Sequence, residues 1–389
     1  MTRRDYEYIV LGLGGLGSAA TYWLSREAGA DVLGLEQFEL GHVRGESQDH
    51  SRIIRLSYHT PGYVELAKQA YAAWHDLEKE SGEQVILETG GLDLGPRASA
   101  IPLETYSDSM AASGVAFEHL DAAEIMHRWP QFRLTDDIHG LYQERGGIAM
   151  AARANAAHQR MAREHGASLR DRTPVAGIRA AGGEIDVEAG GVSYRCRRLA
   201  IAAGPWSNAA LAHVGLELPL EVTQEQVTYF ASPRRRDFLP DRFPVWIWMD
   251  DPCYYGFPVF GEDGPKAAQD AGGKPVTAET RTFEPDPDNS RRVRDFLARY
   301  LPGAVGPEIY TKTCLYTLTP DRNFVIDAVP EMDGAFVAIG AGHAFKFASL
   351  IGKTLAQLAR DGRAEADISP FGIARPILTQ KDPARSYMV

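Results

Sequence analysis

The chain is poor in cysteine, short of positive charge and without a strongly apolar run, and each shortage closes off a class of protein. Three cysteines in 389 residues, Cys196, Cys253 and Cys314, stand far apart. They form no C-x-x-C pair and no cysteine–histidine cluster, so neither a thiol redox pair nor a metal site is expected. His158 and His165, two helical turns apart, are spaced too widely for an i, i+4 metal pair. An odd, sparse cysteine count suits a reducing compartment, and the cytoplasm is the expected location. Lysine and arginine number 41 against 52 acidic residues, a formal net charge of −11. No nucleic-acid partner is expected of such a chain, because phosphate-backbone binding needs an excess of cations. Tyr8 to Ser25 carries no charge, but it is glycine-rich, and Asp5 and Glu7 offset the arginines before it. Neither a signal peptide nor a membrane span is expected there. No G-x-S-x-G occurs, which removes the hydrolase elbow. Gly352-Lys353-Thr354 mimics the end of a phosphate loop, yet Phe347 stands where the first glycine belongs. Internal repeats and low-complexity tracts are missing too.

What is present points to a nucleotide. Hydrophobic residues make up 44% and charged residues 24%, ordinary for a globular chain long enough for two domains. Ile9-Val10-Leu11 is a short apolar run that reads as a buried strand. Gly12, Gly14 and Gly17 follow at G-x-G-x-x-G spacing. The first permits a tight turn, the second lets backbone approach a pyrophosphate, and the third allows helix to pack on strand. A helix from about Gly15 to Glu27, ended by Gly29, would offer its N-terminal amides to a phosphate. Asp31 to Glu36 reads as the next strand. Glu36, 19 residues after Gly17, can accept hydrogen bonds from an adenosine ribose. An acid there argues against NADP but does not separate NAD from FAD.

Pro61 opens and Gly82 closes a helix with Tyr63, Ala67, Ala70, Trp74 and Leu77 on its apolar stripe. Residues 151–165 read as a helix. From Val175 to Ala203 the pattern is strand, hairpin and strand, ending in a turn at Gly204 that would face a ligand crevice. Residues 217–318 are mainly β, with strands at Val245–Met249 and Tyr254–Pro258. Glu262 to Asp288, rich in Gly, Pro and acids, reads as one or two long loops. Phe324–Asp327 and Ala335–Gly340 are further buried strands, and a last helix runs from about Phe345 to Arg360. Nucleotide-type segments thus lie at both ends and in the middle. The expected division is a discontinuous cofactor domain (1–85, 145–216 and 319–389) and a substrate domain (86–144 and 217–318).

Ser51-Arg52-Ile53-Ile54-Arg55, Tyr254-Tyr255-Gly256-Phe257-Pro258, Cys314-Leu315-Tyr316, Gly342-His343-Ala344-Phe345-Lys346-Phe347 and Asp367-Ile368-Ser369-Pro370-Phe371 follow the fingerprint in one order. With them the chain resembles the monomeric sarcosine oxidase and N-methyltryptophan oxidase family, flavin amine oxidases of the D-amino-acid oxidase superfamily, from Tyr8 to about Pro376. The resemblance implies an α/β fold with an α+β substrate domain: a discontinuous Rossmann-like FAD-binding domain plus a mainly antiparallel β-sheet substrate domain. It implies that FAD is held by Gly12, Gly14, Gly17 and Glu36, by Ser51, Arg52, Val175 and Gly204, and by Gly342 and Lys346. It implies a covalent bond from Cys314 to the 8α carbon of FAD, with Lys312 nearby to favour the thiolate. On residue types alone Cys314 reads as a buried structural thiol.

Further roles follow from the same resemblance. Lys266 would activate oxygen as a fixed cation, although by itself it reads as a solvated loop lysine. Arg55 and Lys346 would hold a substrate carboxylate, with Arg52 close to the flavin ring. His343, with the Gly342 turn, Lys346 and the last helix, would stabilise reduced flavin. Tyr255 and Tyr316 would line the substrate pocket, and core packing explains both equally well. Asp270 and Gln48 depart from the family, which often has histidines there. An acid at position 270 would repel a carboxylate and attract a cationic or polyhydroxyl group.

The expected activity is an FAD-dependent oxidase of secondary amino acids. A hydride passes from the carbon beside nitrogen to flavin N5, the imine hydrolyses, and oxygen becomes hydrogen peroxide. The expected partners are a small amine and oxygen, and the expected state is a monomer. The alternatives are a fructosyl or cyclic amino-acid oxidase, an NAD-dependent dehydrogenase, and a flavin-binding protein without catalysis.

Overall fold

The structure, a computed structural model, describes residues 3–380 and Pro383. Its organising element is the strand Asp5–Leu11, where Ile9 and Val10 are wholly buried. Val32–Leu35 lies parallel to it on one side and Val192–Ile201 on the other. Ser168–Arg170 and Ala335–Ile339 extend the parallel order outward. Val325–Ala328 adds an antiparallel edge, and the hairpin Val175–Ala181/Glu184–Ala189 pairs with the first half of Val192–Ile201. The result is an eight-stranded sheet.

Alternate residues of a strand face opposite sides, and both sides of this sheet are covered. Val10 and Val32 face a core built with Trp23, Trp74, Leu77 and Leu355 of the helices Gly15–Ala28, Pro61–Ser81 and Ala348–Asp361. Ile9, Leu11 and Leu33 face a second core closed by Val187 of the hairpin and Leu211 of the helix Ser207–Ala212. Two-sided burial is why these strands read as continuous apolar runs.

A nine-stranded, mainly antiparallel sheet stands beside the first. Glu221–Phe230 pairs along its length with Glu308–Leu318, placing Glu225 opposite Cys314 and Thr223 opposite Tyr316. Lys266–Gln269 joins Glu221–Phe230 to Tyr254–Phe257, followed by Val245–Trp248, Gly91–Pro96, Ile138–Gln143 and Glu118–Asp121. Lys266–Gln269, like the ninth strand Lys274–Val276 on the far side of Glu221–Phe230, lies inside the stretch that the sequence assigns to loops. Three or four residues are too few to show a period, and the glycines and acids around them mask it. Arg52–Ile54, Gly147–Ala149 and Ile86–Glu88 form a small third sheet. The final helix begins at Ala348, after a 3-10 turn at Ala344–Phe347. No helix among the described residues is long and apolar enough to cross a membrane.

Candidate active site: two joined cavities

The carboxyl ends of Asp5–Leu11 and Val32–Leu35 open on a cavity of about 450 Å³ lined by Gly12, Gly14, Glu36, Val175, Gly204 and others. Gly12 has φ 87°, and a Cβ on it would stand 2.4 Å from the Ala202 carbonyl oxygen. Gly17 lies outside the lining, and a Cβ there would meet the Gly12 oxygen at 1.7 Å. One glycine makes the turn and the other lets the helix pack on it. No side chain caps the helix at Gly14; Gly15 N donates to Ser47 Oγ at 2.7 Å from a crossing loop. Glu36 accepts from the Leu13 and Phe38 amides at 2.9 and 3.0 Å. Burial works to raise its pKa, but His42 and those amides more than offset this and keep it an anion. Two backbone donors leave the carboxylate lone pairs for a further donor.

A second cavity, of about 150 Å³, shares Gly15, Leu16, Glu46, Ser47, Gln48 and Asp49 with the first, so the two adjoin along one loop. Its wall includes the face of Glu308–Leu318 that carries Lys312, Cys314 and Tyr316, one side of the strand by the period of two. Arg52 fixes the shared loop by donating to the carbonyls of Ser51 at 2.8 Å and of Glu46 and Gln48 at 2.7 Å. Gln48 donates to the Thr313 carbonyl at 2.6 Å, tying the loop to the cysteine's strand. Lys266 is buried and donates to Asp49 at 3.0 Å. Burial pushes the Cys314 thiol up to about 12, and the largest opposing influence is Arg52 rather than Lys312.

Farther along, Arg55 is ion-paired with Asp93 at 2.9 Å, and Arg322 with Asp270 at 2.8 Å. Asp270 therefore lines the cavity with its charge compensated. Lys346 feels Arg55, Asp270, Arg322 and Asp93, and burial together with Arg55 pushes its ammonium down to about 7. Arg55 and Arg322 each already have an acid, whereas no carboxylate among the described residues lies within ion-pair distance of Lys346. Its carbonyl is anchored by Trp74 Nε1 at 2.8 Å. His343 Nε2 lies 2.8 Å from the Arg322 carbonyl, which fixes the proton on Nε2. Burial, then Lys346 and Arg322, keep the ring uncharged. Gly342 has φ 80°, and a Cβ there would meet the Tyr316 ring at 2.8 Å.

The family described as FAD dependent oxidoreductase matches residues 7–358. This chain belongs to that family. The oxidoreductase is 32% identical to the monomeric sarcosine oxidase of Arthrobacter sp. (strain TE1826) over 385 residues, covering 98% of this chain and 99% of that one. It is 30% identical to the N-methyl-L-tryptophan oxidase of Escherichia coli O157:H7 over 377 residues, covering 95% and 99%. Among solved structures it is similar to the open form of NikD, an unusual amino acid oxidase essential for nikkomycin biosynthesis. The TM-score is 0.83 at 24% identity, with 99% of both chains covered, and this likeness shows the common fold. An NAD-dependent dehydrogenase is set aside by the family match, and the expectation of an FAD-dependent enzyme acting on amines stands.

The residues present fit FAD. The glycine cradle and Glu36 suit its adenosine diphosphate end. Along the passage Glu46 Oε1, Gln48 Oε1 and Ser51 Oγ are buried polar atoms without a protein partner, as expected where a polar group completes the site. Burial pushes the Glu46 carboxyl up to about 7. Apart from Gly17, every residue assigned from sequence to FAD, substrate or oxygen lines one of the two cavities. Sequence reading missed Asp49, Asp93 and Arg322, the counter-charges. Asp49 lies two residues before Ser51-Arg52, and that proximity was its one signal; Asp93 and Arg322 had none.

Proposed function

We propose that the oxidoreductase is an oxidase of secondary (N-alkyl) amino acids. The observation that carries the reading is the ammonium of Lys346, which has no carboxylate within ion-pair distance among the described residues, in a cavity where Arg55 and Arg322 already have theirs. A buried cation without a carboxylate favours a ligand that brings an anionic group, because a charge removed from water needs a partner. Arg55 and Lys346 hold the carboxylate in this reading, and Tyr255 and Tyr316 border the rest of the substrate. Both phenols are driven toward their neutral form by burial. Bound FAD supplies the hydride acceptor and the route of electrons to oxygen. The chain supplies orientation, a dry cavity and fixed charge. His343 is held neutral and is no general acid; its place beside Lys346 and the Gly342 turn makes it part of the polar surround of FAD. Lys266 provides the cation for oxygen reduction.

The same reading makes Cys314 the covalent anchor of FAD. The support is its place on the cavity face of its strand, beside Arg52, which lowers the cost of the thiolate. Cys314→Ala is expected to release all its flavin on denaturation, whereas the parent keeps flavin on the unfolded chain. Absorbance of the acid-precipitated pellet and supernatant decides between them. Strand membership of the two large sheets supports the division into 1–85, 145–216 and 319–389 for FAD and 86–144 and 217–318 for substrate, although 1–2, 381–382 and 384–389 lie outside the described residues. The sparse thiols support a cytoplasmic enzyme, and the monomeric relatives support a monomer. The Arg322–Asp270 pair argues against a free acid for a sugar-modified substrate.

The test is peroxide release with sarcosine, N-methyltryptophan, pipecolate and fructosyl-glycine, each beside its decarboxylated analogue. Much faster peroxide release from an acid than from its analogue is expected. For that acid kcat/KM should fall as pH rises through about 7, where Lys346 loses its proton, while residual turnover of the analogue lacks that inflection. Equal turnover of acid and analogue would overturn the carboxylate reading.

A further inference from the structure

The Lys266 ammonium has little room for water. Its side chain is 1% exposed. It donates to the Asp49 carboxylate and to the Ser51 carbonyl, both at 3.0 Å, and lies 4.0 Å from the centre of the Phe257 ring. Tyr229 Oη donates to both Asp49 oxygens at 2.9 and 3.1 Å. Asp49 belongs to the loop shared by the two cavities and Lys266 to a strand, so the pair ties the two sides of the passage together.

Asp49 also has φ 78°, the left-handed region, which strains a residue bearing a Cβ and suits glycine best. Glycine would sit there at ease. A buried acid held instead in a strained conformation points to a use for its side chain. That use follows from the charges around it. Burial pushes the Lys266 ammonium down to about 8; Asp49 is the largest influence opposing this, and Arg52 adds to the push. The Cys314 thiol and the phenols of Tyr229 and Tyr310 face the pair and are all driven toward their neutral forms by burial. His50, next to Asp49, is engaged by Glu262 at 3.0 Å. Asp49 is thus the one carboxylate among the described residues in contact with the ammonium.

We propose that Asp49 is a positioning residue of the oxidation: its carboxylate holds Lys266 charged and extended at the cavity wall, and so sets the upper pH limit of the step that Lys266 serves. The identity of that step rests on the reading of Lys266 given above. Without Asp49 a buried ammonium beside Arg52 gives up its proton at lower pH.

The experiment is a pH titration of the visible flavin spectrum of the holoenzyme in the parent, Asp49→Asn, Asp49→Gly and Lys266→Met. Asparagine tolerates the left-handed conformation and glycine prefers it, so the test does not hang on one variant folding. The parent is expected to show a transition near pH 8 that Lys266→Met lacks. Both Asp49 variants should move it down by at least about one unit, the scale on which a lost contact charge acts. A transition that Lys266→Met retains, or that both Asp49 variants leave in place, overturns the proposal. Reoxidation by oxygen is timed on the same samples. If the transition moves as expected and Lys266→Met reoxidises like the parent, the grip of Asp49 on Lys266 stands and the oxygen role of Lys266 falls.

Discussion

Lys266→Met is expected to slow reoxidation of the substrate-reduced enzyme by about 100- to 1,000-fold, the usual cost of removing one fixed donor from a developing charge. Reduction by substrate should change by no more than a few-fold, because Arg55 and Lys346 are untouched. Stopped-flow traces of the two half-reactions give both numbers, and equal slowing of both would remove Lys266 from this role. The variant should also be less stable. Methionine fills the space but leaves Asp49 buried without its counter-ion, and breaking a buried pair typically costs about 3–5 kcal/mol. The sign of the pH dependence follows. Burial works against the Asp49 charge, but Lys266 and then Arg52 hold its pKa below the usual aspartate value. Its stabilisation is therefore present above the unfolded-state pKa and is lost as pH falls through the depressed one. The stability gap between parent and variant should be widest near neutrality and narrow in acid, as urea denaturation at several pH values would register.

The counter-ions mark the boundary of what the sequence could tell. The strand–turn–helix–strand of residues 5–36 was legible because each part is local: a continuous apolar run for a strand buried on both faces, glycines where a Cβ would strike backbone, and an acid at the strand end. The helix from Pro61 carried its own start and stop, since Thr60 accepts from the Tyr63 amide and Gly82 takes the left-handed cap. The α/β class followed from such segments at both ends of the chain. The order of the nine-stranded sheet did not follow. Its pairings join strands remote in sequence, as when Gly91–Pro96 lies parallel to Val245–Trp248, and nothing local specifies a partner that distant.

The candidate site divides in the same way. Arg52, Arg55, Cys314, His343 and Lys346 were picked out because they sit in short, dense motifs. The charges that balance them come from elsewhere: Asp93 is 38 residues from Arg55, Arg322 is 52 from Asp270, and Asp49 is 217 from Lys266. Asp270 shows the consequence. Read alone it is an acid that repels a carboxylate; beside Arg322 it is half of a neutral pair. That Lys346 has no such partner emerges once the pairs are assigned, and that assignment requires three dimensions.

Arg55→Ala is expected to raise KM for the acid substrate by about 30-fold to several thousand-fold, since removing one partner of a buried, hydrogen-bonded charge pair costs about 2–5 kcal/mol. The single variant is ambiguous. Arg55 also neutralises Asp93 at 2.9 Å, with both side chains about as buried, and its guanidinium lies 5.2 Å from the Tyr58 ring and 5.8 Å from the Tyr106 ring. Alanine leaves Asp93 as an uncompensated anion, which destabilises the fold and repels the incoming carboxylate. Arg55→Ala with Asp93→Asn separates the two effects. If Arg55 grips the carboxylate, the double variant regains stability but keeps the high KM. If KM returns to the parent value, repulsion by Asp93 was the whole effect and Arg55 does not hold substrate. Arg55→Lys completes the argument: it keeps the charge and loses the planar fork. Its KM should therefore fall between parent and alanine variant, while the decarboxylated analogue registers none of the three changes beyond the general loss of stability.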